Sequence, residues 1–155
     1  MRRKDREVTD FKKMIEIMES CDCCRLGLVD REEVYIVPMN FGYDIKNEQI
    51  DLYFHSAKEG RKVDLLPKQS VVSFEMDAKH KLIEGKIGCD FSYLYQCIMG
   101  TGKVELLSEV EEKIYGLEKI MAHYTKNEQW EFNEKMLDSM KVFRLSIKTW
   151  SCKEH

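Results

Sequence analysis

The sequence predicts an antiparallel β-barrel decorated by helices, and three observations carry that prediction. Short runs in which apolar and polar residues alternate, CRLGLV, IDLYFH, VVSFEM and VFRLSIKTW, read as half-buried strands. They follow one another through short turns with no regular strand–helix–strand alternation, which argues against a doubly wound parallel sheet. Stretches of helical periodicity before, between and after groups of these strands, with one strand still to follow the longest, read as helices outside the meander.

Each element follows in order. In TDFKKMIEIMES, Phe11, Met14, Ile15 and Met18 fall on one helix face, with Thr9 placed to cap and Asp10 favourable to the helix dipole. CRLGLV turns Leu26 and Leu28 inward, DREE makes a turn, and VYIVPMNF is a second extended run. Pro38 cannot donate a ladder hydrogen bond, so this strand needs an edge, a bulge or a ligand at that point. GYDIKNEQ reads as a loop and IDLYFH as the third strand. Ser56 and Glu59 fit a capping box that would open a short helix carrying Val63, Leu65 and Leu66 and ending near Pro67.

VVSFEM is the next strand, and QCIMGTGKVELL a longer one in which Gly100 and Gly102 mark a bulge or a close approach. Ser108 and Glu111 repeat the capping box, and Val110, Ile114, Leu117, Met121 and Tyr124 share the face of a long helix. NEKMLDSM suggests a short helix, and VFRLSIKTW is a terminal strand with Phe143, Leu145 and Ile147 inward.

Composition bounds the function. With 155 residues, 43% of them hydrophobic, the chain supports one core, and a single domain over 1–155 is expected. A formal charge of −3 gives no global attraction to nucleic acid or anionic membrane, so any anion site must be local. The basic start has no apolar stretch behind it and no run of eighteen apolar residues occurs, which predicts a cytoplasmic protein. The six cysteines, too sparse for a secreted disulfide scaffold and with no secretion signal before them, are read as reduced thiols, and Cys21, Cys23 and Cys24 lack paired zinc-knuckle spacing. No metal site is expected.

One local anion site offers itself. FHSAKEGRKVDLL puts Lys58, Arg61 and Lys62 around the start of a helix just after a strand, where cations and exposed N–H groups suit a phosphate. By spacing alone, a solvated basic turn fits equally well. His55 ends the strand that leads there; a lone histidine is more often structural than functional, and its position is what raises it.

Four ordered segments resemble a known family: YIVPMNFGY, LYFHSAKEGRKVDLL, the stretch from Cys89-Asp90-Phe91-Ser92 to MGTGKVELL, and MAHYT. They resemble the nitroimidazole-resistance branch of the pyridoxamine-phosphate-oxidase-like FMN-binding split-barrel superfamily. The resemblance implies a six-stranded Greek-key split barrel and a homodimer with FMN in clefts between the subunits. Arg61 and Lys62 match the pair that holds the flavin phosphate, with His55 and Ser56 beside it. Val37, Pro38, Met39 and Asn40 match the strand whose backbone faces the isoalloxazine ring, and Gln96 an amide near that ring. Trp150 resembles an aromatic that closes over the cofactor in the vitamin B6 oxidases, although a core or exposed tryptophan fits nearly as well.

The arginine-and-histidine substrate motif of those oxidases is missing, since only SCKEH follows Trp150, so pyridoxamine-phosphate oxidation is not expected. The implied activity is reduction of a small electron-poor acceptor by reduced FMN, with NAD(P)H as donor and His55 as the residue that orients substrate or supplies a proton. Two readings stand against it: a noncatalytic flavin- or haem-binding module, and a purely interacting barrel.

Overall fold

The computed structural model describes residues 3–127 and 129–155. A two-residue strand, β1 (Glu7–Val8), precedes α1 (Phe11–Glu19). Asp10, not Thr9, caps α1, its carboxylate accepting from the Lys13 backbone N–H at 2.8 Å. Met14, Ile17 and Met18 form the buried face of α1, while Phe11 stays at its edge.

The strands that follow are β2 (Cys24–Asp30), β3 (Glu33–Met39), β4 (Gly42–Lys46) and β5 (Gln49–Ala57). After α2 (Arg61–Leu65) come β6 (Val72–Ile83) and β7 (Ser92–Leu107), then α3 (Val110–Tyr124), α4 (Glu134–Asp138) and β8 (Met140–Glu154). The fold class is the one expected, with eight strands in place of six. The two additions are β1 and β4, the latter lying in the segment read as a loop.

The strands form one antiparallel sheet in the order β3-β2-β6-β7-β8-β5-β4, and β1 adds to β8 beyond the end of β5. The two outermost strands of that path, β3 and β4, are consecutive in the chain, joined through Asn40 and Phe41. The sheet therefore curls until its ends meet at a covalent seam, a split barrel. Tyr124 ties this seam, accepting from the Phe41 N–H at 3.1 Å and donating to the Asp22 carbonyl at 2.7 Å. Pro38 lies in an edge strand, where its missing N–H leaves no gap in a ladder. The register of β7 against β8 shifts between Thr101 and Gly102, where the paired glycines had marked a bulge.

Leu26, Leu28, Leu52, Phe54, Met76, Ile98, Phe143 and Leu145 fill the barrel, and α1 closes over Cys21 and Cys24. A second apolar cluster lies outside, where Leu117 and Ile120 of α3 and Leu137 of α4 cover Tyr53, Leu107 and Val142. Gly116, Leu117 and Ile120 are the buried residues of α3, so its buried face differs from the expected one, and Val110 at its start is exposed. The helix lies so close to β4 that a Cβ on Gly42 would collide with the Lys119 backbone. No helix among the described residues is long and apolar enough to cross a membrane.

Candidate functional site

The site is built where β5 hands the chain to α2. Alternation along β5 sends Phe54 and Ser56 inward and His55 outward. The strand continues through Ser56 and Ala57 because both pair with β8, Ser56 opposite Lys141 and Ala57 opposite Met140. The expected capping box therefore does not form: the Ser56 hydroxyl donates to the Ala57 carbonyl at 2.9 Å. Gly60, at φ 133°, starts α2 with no side-chain cap, a backbone angle that residues with a Cβ rarely adopt. The second capping box fails likewise, since Glu109 and not Ser108 is the N-cap residue of α3.

Arg61 leads α2 and reaches the β2–β3 hairpin. Its Nε donates to Asp30 Oδ2 at 2.7 Å and its Nη2 to Glu33 Oε2 at 3.4 Å, while the guanidinium sits 4.6 Å from the centroid of the Tyr35 ring. These three partners were not visible in the sequence as a group; the one signal was the acidic turn DREE. Lys62 is half-buried and makes no ion pair among the described residues; Lys58 is exposed. The His55 imidazole keeps an open face, yet loss of hydration to the surrounding protein and the neighbouring Lys62 ammonium lower its pKa. It is neutral at pH 7, with a lone pair free to take a proton.

Ser56 also borders an apolar recess of about 170 Å³ with Val63, Leu66, Val104, Lys141 and Phe143. In β3, Val37 and Met39 point into the core and Pro38 and Asn40 point out. Only the backbone on the unpaired edge of β3 and the two outward side chains are open to a ligand there.

Gln96 and Trp150 lie elsewhere. Gln96, on β7, is buried; its amide donates to Glu154 at 3.0 Å and its Oε1 has no hydrogen-bond partner among the described residues. It borders a cleft of about 560 Å³ with Arg6, Lys79, Tyr95, Glu154 and His155. Trp150, opposite Gly100, is partly buried against the core and meets Phe11 edge-on at 6.1 Å. Along β8, Val142 pairs with His55 and Glu154 with Gln96, twelve residues apart. At the rise of an extended strand that is roughly 35–40 Å along the chain. The sequence-derived residues thus form two groups: His55, Ser56, Arg61 and Lys62 beside β3, and Gln96 with Trp150 toward the other end.

The family model for pyridoxamine 5'-phosphate oxidase matches residues 11–154. The chain belongs to that family. Within it, similarity extends to the nitroimidazole-resistance branch: a candidate 5-nitroimidazole antibiotic resistance protein from Bacteroides thetaiotaomicron is 32% identical, with a TM-score of 0.82 over 96% of this chain and 86% of that one. The flavocytochrome Anf3 of Azotobacter vinelandii shares the family fold at 19% identity, TM-score 0.82, over 100% of this chain and 72% of its own. A FAD and heme binding protein of Mycobacterium smegmatis does so at 16% identity, TM-score 0.82, over 96% and 73%. No curated protein matches the sequence.

The thiols are no competing family chemistry. All six cysteines are free. Burial pushes Cys21 up to about 12 and Cys97 and Cys152 up to about 11, so these three are protonated and unreactive at neutral pH. Among the described residues no cluster of His, Cys, Asp or Glu could hold a metal.

Proposed function

We propose that this family member is a cytoplasmic homodimeric oxidoreductase that binds FMN between its subunits and reduces a small electron-poor acceptor, with NAD(P)H as donor. The observation that carries the reading is the cluster at the end of β5: a guanidinium that reaches the β2–β3 hairpin, an ammonium with no ion pair among the described residues, and a neutral imidazole beside that ammonium. These donors fit a phosphate and a planar ring lying along the edge of β3.

The residues fit a flavin at a second point. The buried Oε1 of Gln96, without a partner among the described residues, is an acceptor that a flavin imide N–H would satisfy. In the proposed dimer, Gln96 serves the flavin held by the partner's Arg61. Bound flavin brings the redox chemistry. Arg61 and Lys62 hold its phosphate, the outward Pro38 and Asn40 and the backbone of Val37 and Met39 flank its ring, and Ser56 keeps the end of β5 in place. His55, neutral at pH 7, orients the acceptor and relays a proton to it, giving up its ring N–H as the other ring nitrogen takes a proton from solvent. Trp150, held edge-on against Phe11, closes over the cofactor on this reading.

Titration of FMN and riboflavin against wild type, Arg61→Ala, Lys62→Ala and Lys58→Ala tests the site. Each of the first two is expected to weaken FMN about tenfold or more, by loss of charge-assisted hydrogen bonds, while riboflavin binding barely changes and Lys58→Ala costs little. Unaltered FMN binding in Arg61→Ala and Lys62→Ala overturns the assignment. The absorbance spectrum of the purified protein separates the classes: a flavin spectrum bleached by NADH or NADPH supports an enzyme, whereas a Soret band supports a haem-binding module. Sedimentation is expected to give twice 18.4 kDa.

A further inference from the structure

Arg61 does not stand free for an anion. Its fork is engaged along the edge formed by Nε and Nη2, with Asp30 at 2.7 Å and Glu33 at 3.4 Å, and its face lies over Tyr35. That same edge is one of those by which a guanidinium grips two phosphate oxygens at once. A phosphate arriving there meets two carboxylates already in place, and like charges at such range repel.

We infer that Asp30 and Glu33 compete with the flavin phosphate for Arg61, and so set how strongly the site prefers a phosphorylated flavin to an unphosphorylated one. The inference rests on the flavin reading above and adds its regulation. The two acids are unequal. The Asp30 side chain is 27% exposed and makes the shorter bond, whereas Glu33 is 78% exposed and its bond is long, so Asp30 carries most of the competition. Lys62, without an ion pair among the described residues, is open to phosphate from the start. A flavin lacking the phosphate leaves the carboxylate clamp shut and feels neither acid.

The test is FMN and riboflavin titration of Asp30→Asn, Glu33→Gln and the double variant, each in the wild-type and the Arg61→Ala background. Asp30→Asn is expected to tighten FMN about fivefold and Glu33→Gln about twofold, with riboflavin unchanged and both gains absent once Arg61 is removed. A weaker grip on FMN in Asp30→Asn overturns the inference, because Asp30 then positions Arg61 instead of competing for it; an unchanged grip overturns it as well. If Arg61→Ala alone leaves FMN binding intact, the phosphate anchor fails and the clamp falls with it. A loss in Arg61→Ala with no gain in the acid variants sinks the clamp and spares the anchor.

Discussion

The two outer walls of the barrel are made of similar residues and meet opposite fates. On the wall of β4, β5 and β8, the outward Tyr53, Val142 and their neighbour Leu107 disappear under α3 and α4. On the wall of β3 and β2, Val34 and Ile36 are 70% and 63% exposed, and Val29, paired with Val34 across the hairpin, is bare beside them. Val34 is as apolar as Val142. Burial outside this barrel is decided by whether the chain supplies a cover, not by residue type, and exposed large apolar side chains standing together, here Val29, Val34 and Ile36, mark a surface that meets another protein. In the proposed dimer, a second copy does for one wall what α3 does for the other.

The sharpest way to break the comparison is to lift the helix off the covered wall. Gly42→Val sets a side chain against the Lys119 backbone, which cannot swing aside as a side chain would, and is expected to cost about 3 kcal/mol or more in chemical denaturation. Leu117→Ala removes apolar contact from the same wall without a clash and is expected to cost about 2–3 kcal/mol. Neither change should alter the mass in sedimentation.

A smaller effect comes from the polar tie between α3 and β4. Burial by itself raises the pKa of Asp44, whose side chain is only 14% exposed, but hydrogen bonds from Lys119 at 2.8 Å, Tyr115 at 2.6 Å and the Lys46 ammonium at 3.2 Å outweigh it and hold the carboxyl well below its ordinary range. A carboxyl lowered on folding contributes stability that is complete above its unfolded pKa, about 4, and is lost as pH falls through its folded value. Asp44→Asn is expected to cost about 1–2 kcal/mol at pH 7 and less at pH 3, so denaturation midpoints at the two pH values should converge. Equal losses at both would show that the tie is not electrostatic.

The smallest change in stability belongs to the bare wall. Ile36→Lys should move the unfolding free energy by no more than about 0.5 kcal/mol, since the side chain is already in solvent. Its readout is association: the variant should sediment at a lower mass than wild type. An unchanged dimer would place the subunit contact elsewhere.

How far the sequence reached depended on the range of the interactions involved. The strands at Cys24–Asp30, Gln49–Ala57 and Met140–Glu154 were visible because one face of each is buried and alternation is local. β4 was not. Its residues are mostly half-exposed, and it turns back through Asn47 and Glu48 at φ 51° and 65°, so a polar hairpin looked like a polar loop. The extension of β6 to Ile83 was hidden because its later residues are exposed and a bulge interrupts the register near Lys79. Ser56 matched a capping motif, but pairing with Lys141, far along the chain, kept it in a strand. The site repeats this lesson. Arg61, Lys62 and His55 are neighbours in sequence and could be grouped by eye, whereas Asp30, Glu33 and Tyr35 come to Arg61 only through the β2–β3 hairpin.

The place of β8 in the sheet has a consequence for synthesis. This strand, the last in the chain, lies inside the sheet with β7 on one side and β5 and then β1 on the other, and its inward Phe143 and Leu145 are part of the filling. Until residues 140–154 have left the ribosome, β7 and β5 each present an open edge and the interior is incomplete. The nascent chain must therefore carry exposed strand edges from the emergence of β5 and β7 until β8 follows, an interval in which a growing polypeptide is most in need of a chaperone.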